Sequence, residues 1–178
     1  MCTEGPTNMG AGTTELGIAG GYSVSFNDDR SPDLRTVYGT HGLLRIGRLV
    51  TDEHGSGIFR GNLELTLEPT YIHLHSQPSA NVYGAALLGR WLLVGTGVVR
   101  PYLEVGGGVT GGRVGPRTGD CDPNFLLEGG PGLVSFVTEH TAIDIGARFH
   151  HISNGNRCVP NFGVNSVMGV VGVSYFFH

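Results

Sequence analysis

The residues that could do chemistry concentrate in one segment: Arg148-Phe149-His150-His151-Ile152-Ser153-Asn154-Gly155-Asn156, followed by Pro160-Asn161-Phe162-Gly163-Val164-Asn165-Ser166. On a strand, His151 and Ser153 stand at i and i+2, so their side chains leave the same face within reach of each other. A base beside a hydroxyl is the minimal apparatus for an activated nucleophile. Both continue the apolar odd-numbered row of Ile143, Ile145 and Phe149. Polar groups at the end of a lipid-facing row are costly unless they act at the membrane boundary. The alternative is that the strand ends at Phe149 and both residues cap a loop.

Other candidates weaken on parity or distance. His150 has the opposite parity and groups with Asp144 and Arg148, which reads as interior packing. Asp144 therefore cannot orient His151. Glu139 has the right parity but lies twelve residues back along the strand, about 40 Å at 3.3 Å per residue. The His73-X-His75 pair could bind a metal, but no third ligand is evident, so it reads as strand surface; neither metal nor any other cofactor is expected. Three cysteines, Cys2, Cys121 and Cys158, are too few for a disulfide scaffold. Cys121 and Cys158 each sit in a Gly/Pro/Asn/Asp-rich stretch, where a bridge between two loops and two free thiols are both open.

The elements that must position these residues are strands. The 178 residues include 31 glycines, recurring every few positions, and apolar residues alternate rather than recurring at three and four. Candidate strands cover 14–26, 35–50, 58–75, 81–96, 98–113, 124–138, 140–153 and 164–177. Turn signals such as Asn27-Asp28-Asp29, Asp52-Glu53-His54-Gly55 and Asn154-Gly155-Asn156 separate them. Eight long strands without intervening helices predict antiparallel neighbours and a closed barrel. The length predicts one domain, 1–178, with residues 1–13 as a flexible N-terminal segment.

Each strand has one apolar face and one small or polar face. In the third, Phe59, Gly61, Leu63, Leu65 and Leu67 oppose Arg60, Asn62, Glu64, Thr66 and Glu68; in the eighth, Val167, Gly169, Val171, Val173, Tyr175 and Phe177 oppose Ser166, Met168, Val170, Gly172 and Ser174. The pattern fits a lipocalin-like soluble barrel with apolar faces inward or a membrane barrel with apolar faces outward. Parity alone does not choose. Strands of twelve or more residues, long enough to cross a bilayer when tilted, favour the membrane. Aromatics near strand ends, Tyr71, Tyr102, Tyr175, Phe176 and Phe177, are expected to form an interfacial girdle.

The run His-X-Ser-Asn-Gly, then Pro-Asn-X-Gly-X-Asn, then an alternating last strand ending in aromatics, resembles the C-terminal signature of PagL-type lipid A 3-O-deacylases, the outer-membrane acyloxyacyl hydrolase family. Pro101-Tyr102-Leu103-Glu104-Val105-Gly106-Gly107-Gly108 is similar to a central strand of that family. The diagnostic match covers about thirty C-terminal residues; elsewhere only strand pattern and length agree. The resemblance implies an all-β fold, an eight-stranded antiparallel up-and-down outer-membrane β-barrel, and a serine esterase site facing lipid. It implies Ser153 as nucleophile, His151 as base, and Asn154 and Asn161 as oxyanion residues. The orienting residue, a glutamate in the family's best-known member, falls at Asn165 here. An amide oxygen can hold an imidazole tautomer, though it stabilises imidazolium less than a carboxylate does.

The function implied is removal of an ester-linked 3-hydroxyacyl chain from lipid A of lipopolysaccharide in the bacterial outer membrane. Lipid A is the expected partner, and a homodimer is left open. Two alternatives remain: a non-catalytic outer-membrane barrel and a soluble lipid-binding barrel. With 11 Lys+Arg against 15 Asp+Glu and a net charge of −4, the chain lacks the basic footprint of a nucleic-acid binder. The given N-terminus shows no signal-peptide pattern, which is expected either of a cytoplasmic protein or of one whose targeting segment has been removed.

Overall fold

The computed structural model describes residues 9–26, 36–75, 79–95, 97–115, 118 and 121–177. Eight strands follow one another: β1 (Thr14–Ser25), β2 (Tyr38–Leu49), β3 (Gly61–Leu74), β4 (Ala80–Leu93), β5 (Val99–Gly111), β6 (Asn124–Phe136), β7 (Thr141–Ser153) and β8 (Val164–Phe177). Each pairs antiparallel with its sequence neighbours, and β1 pairs with β8 to close the barrel. Closure leaves no sheet edge, so each strand has a hydrogen-bonding neighbour on both sides, as a bilayer core demands.

The alternation resolves in favour of apolar outward. Leu16 and Ile18 of β1, Leu65 and Leu67 of β3, Ile143 and Ile145 of β7, and Val171 and Val173 of β8 are exposed on the exterior. Inside, the side chains of Glu15, Arg45, Glu64, Glu68, Arg90, Glu104, Glu128, Asp144 and Arg148 are all at or below 5% exposure. A soluble lipocalin-like barrel has the opposite polarity, so that alternative fails. Strands of 12 to 14 residues, tilted as such barrels require, span a hydrocarbon layer of about 30 Å.

The luminal charges are interlinked, with three guanidiniums shared among six carboxylates. Arg90 donates to Glu15 (2.7 Å), Glu64 (3.1 Å) and Asp144 (2.7 Å), and its guanidinium lies 4.3 Å from the Tyr102 ring centroid. Arg148 donates to Glu68, Glu104 and Glu128, and Arg45 donates to Glu68. Apolar plugs flank this belt. Toward the termini, Met9, Leu49, Leu92, Tyr102, Phe136 and Phe176 cluster; toward the other end, Val37, Ile72, Leu88, Val114, Ile152 and Val164 do so.

Four expectations change. Tyr102 and Phe176 do not join an exterior girdle: at 1% and 0% exposure they point inward, as even-numbered residues on strands whose odd positions face out. Tyr71, Tyr175 and Phe177 do lie outside. The third strand starts at Gly61 rather than 58, because Gly57–Phe59 forms a 3-10 turn. The second starts at Tyr38; residues 27–35 lie outside the described residues. Of the segment 1–13, residues 9–13 are packed. Met9 is buried in the terminal plug, and Gly12 N and Ala11 N donate to Leu49 O and Asp52 Oδ1.

Candidate functional site

The last turn of β7 carries His151 and Ser153 on the outward side, in register with two exposed β6 residues: Leu127 opposes His151 and Phe125 opposes Ser153. On the other flank, Asn165 of β8 is the cross-strand partner of His151. Ile143, Ile145, Ala147 and Phe149, lower on the same row of β7, are exposed, whereas His151 and Ser153 are half-buried under the β7–β8 connection. The apolar row thus ends in a small polar recess beside the membrane.

Asn165 Oδ1 lies 2.6 Å from His151 Nδ1. With the amide oxygen as acceptor, Nδ1 carries the proton and Nε2 keeps its lone pair, which is the tautomer a general base requires. The ring is further held by parallel stacking on Phe149, at 6.5 Å between centroids and 6° between planes. His151 and Ser153 share no direct hydrogen bond. Gly163 covers both: a Cβ built on it would lie 3.0 Å from His151 Cε1 and 3.6 Å from Ser153 Cβ. Gly163 has φ +70, a left-handed conformation that glycine adopts without penalty.

Asn154 and Asn161 organise the roof of this recess. Asn154 is fully buried, and its amide nitrogen donates to Thr118 O (2.9 Å), Cys158 O (2.9 Å) and Pro160 O (3.2 Å). Its backbone N–H donates to Asn161 Oδ1 (3.0 Å), while Asn161 Nδ2 donates to Asn156 Oδ1 (2.8 Å). The Asn154 amide nitrogen and both ends of the Asn161 amide are therefore engaged inside the loop, whereas the buried Asn154 Oδ1 accepts no hydrogen bond among the described residues. Cys121 and Cys158 are disulfide-bonded, with Cα atoms 5.9 Å apart. The bridge and the Asn154–Thr118 contact tie the β5–β6 connection to the β7–β8 connection. That latch was not readable from spacing, because Thr118 and Asn154 meet only through the barrel's circular order.

A second base–hydroxyl pair exists: His41 Nε2 and Ser23 Oγ share a hydrogen bond of 2.8 Å. His150 packs edge-on against His41 at 5.1 Å. All three are at or below 4% exposure in the lumen, so no lipid reaches them. His150 thus sits where its parity puts it. In the His73-X-His75 pair, His73 Nδ1 bonds Asn81 Oδ1 and His75 Nε2 bonds Thr40 Oγ1, each at 2.8 Å.

The chain matches the family model described as Lipid A 3-O-deacylase (PagL) over residues 48–174, a span that includes His151, Ser153, Asn154, Asn161 and Asn165. A search of curated proteins returned no match. Among solved structures, the crystal structure of the outer membrane enzyme PagL matches with TM-score 0.61 and 20% identity, covering 89% of this chain and 97% of that one. Neisserial surface protein A (NspA) matches with TM-score 0.69 and 16% identity, covering 93% and 99%. The N-terminal β-barrel domain of Pseudomonas aeruginosa OprF matches with TM-score 0.51 and 17% identity, covering 95% and 100%. At such identities the structures speak for the fold.

Proposed function

Because the chain belongs to the Lipid A 3-O-deacylase (PagL) family, we propose that it is an outer-membrane serine esterase that removes an ester-linked 3-hydroxyacyl chain from lipid A. The observation that carries this reading is the Asn165–His151 contact on the lipid-facing wall, with Ser153 on the same outward row of β7. A soluble ester could approach any surface; an outward row of Ile143, Ile145, Ala147 and Phe149 ending at a base and a hydroxyl suits a substrate already dissolved in the bilayer. The ester linkages of lipid A lie just below its headgroup, at the depth where this row turns polar.

In the reaction, His151 Nε2 accepts the Ser153 hydroxyl proton as Oγ attacks the ester carbonyl. Collapse of the tetrahedral adduct breaks the acyl–oxygen bond, and the proton passes from His151 to the departing sugar hydroxyl. Water, deprotonated by the same imidazole, then releases the fatty acid. Asn165 keeps the imidazole in the reactive tautomer and stabilises its cation as a dipole rather than a charge. The amide nitrogens of Asn154 and Asn161 are engaged within the loop, so in this reading they serve the oxyanion by fixing the loop from which its donors come.

The test is fatty-acid release from lipid A in mixed micelles by purified, folded protein. Wild type should release a 3-hydroxy fatty acid, and Ser153→Ala and His151→Ala should each abolish release; full activity in either removes the assignment. The absence of a direct Ser153–His151 hydrogen bond favours a second reading, a non-catalytic barrel. Silence of both wild type and Asn165→Glu would select it.

A further inference from the structure

The β7–β8 connection presents one cation beside the candidate nucleophile. Asn154 to Arg157 form a tight reversal: Gly155 and Asn156 both have positive φ, 63 and 62, and Arg157 N donates back to Asn154 O at 3.4 Å. The side chain repeats that return, with Arg157 Nε donating to the same carbonyl at 3.0 Å. The guanidinium carbon then lies 5.2 Å from the centroid of Phe125, the residue that opposes Ser153 across the β6–β7 ladder. Gly155 lets the ring sit there, since a Cβ on it would come 2.8 Å from Phe125 Cε2. The next residue, Cys158, is disulfide-bonded to Cys121.

Backbone, carbonyl, ring and disulfide thus fix an exposed arginine on the headgroup side of Ser153. Nε is engaged, while the two terminal amino groups have no protein partner among the described residues, and Arg157 forms no ion pair there. A free pair of guanidinium amino groups matches a phosphate oxygen pair, whereas a lysine would offer a point charge. In a chain of net charge −4, holding an anion beside the site requires such a local device.

We propose that Arg157 is a substrate-binding residue that holds a phosphate monoester on the glucosamine headgroup of lipid A, and so sets which ester reaches Ser153. This rests on the esterase reading above and adds the headgroup feature that is recognised.

The experiment compares lipid A carrying both phosphates with lipid A from which both have been removed, in nonionic micelles, for wild type, Arg157→Gln and Arg157→Lys. The preference of wild type for the phosphorylated lipid in kcat/KM should be about tenfold, as expected for loss of a charge-assisted contact, and should reside in KM. Arg157→Gln should bring the ratio close to one, and Arg157→Lys should keep part of it. An unchanged ratio in Arg157→Gln overturns the proposal. A parallel binding measurement in Ser153→Ala and Ser153→Ala/Arg157→Gln separates this proposal from the esterase reading. If wild type cleaves neither lipid, the esterase reading fails while the binding ratio still decides Arg157. Equal binding of both lipids by Ser153→Ala overturns it. Inorganic phosphate serves as the competitor: displacement of the phosphorylated lipid only at far higher concentration supports a headgroup site, and displacement at equal concentration overturns it.

Discussion

In the proposed esterase, the orienting residue is where the site departs most from a charged triad. An amide oxygen 2.6 Å from Nδ1 fixes the tautomer, but as imidazolium forms during attack it offers a dipole where a glutamate would offer a full charge. Asn165→Leu should therefore lower kcat by roughly a hundredfold or more, because the imidazole loses its anchored tautomer. Asn165→Glu should raise kcat on the order of tenfold, equivalent to about 1.4 kcal/mol. Steady-state kinetics on one lipid A preparation checks both; a neutral outcome for the leucine variant would remove Asn165 from the mechanism. Gly163→Val tests the recess itself. Its side chain would need a left-handed backbone and would press on His151 Cε1 and the Ser153 methylene, so activity should fall sharply while the barrel still folds, as judged by heat-dependent gel mobility.

The strands of this barrel were legible because period-two alternation is a direct consequence of pleating, and an interior of charges against an exterior of lipid exaggerates it. For that reason β8 falls on its expected boundaries and β7 starts only one residue later than expected. Which face points inward was not legible from parity, since a soluble barrel and a membrane barrel share the pattern. The inward turn of Tyr102 and Phe176 shows the limit of composition arguments: their aromatic character suggested an interface, but their even numbering placed them in the lumen. The shared outward face of His151 and Ser153 could be read from their i, i+2 spacing, whereas the roof above them depends on contacts such as Asn154 to Thr118 that join separate loops. Asn154→Ala should leave three backbone carbonyls without their donor and cost about 1–3 kcal/mol locally. Hydrogen exchange should then rise in both connections, 112–123 and 154–163, rather than in 154–163 alone. Exchange confined to one connection would contradict the latch.

Across the whole molecule, a charged belt held between two apolar plugs stiffens the wall from within. Arg90 alone joins carboxylates from β1, β3 and β7, so it braces strands that are not neighbours. Arg90→Leu leaves buried carboxylates uncompensated and should destabilise by roughly 3–5 kcal/mol, read as an earlier midpoint in urea-driven unfolding from lipid vesicles. On the outside, Val173 pairs with Ile18 and Ile143 in an apolar band; Val173→Arg there should cost about 2–4 kcal/mol in the same assay, and no cost would contradict the lipid-facing exterior. The most direct test of the central claim joins the wall to the site: mass spectrometry of lipid A extracted from outer membranes containing either wild type or Ser153→Ala, both verified as folded barrels. The account predicts lipid A lighter by one 3-hydroxyacyl chain with wild type and unaltered lipid A with Ser153→Ala. Identical lipid A in the two membranes would contradict it.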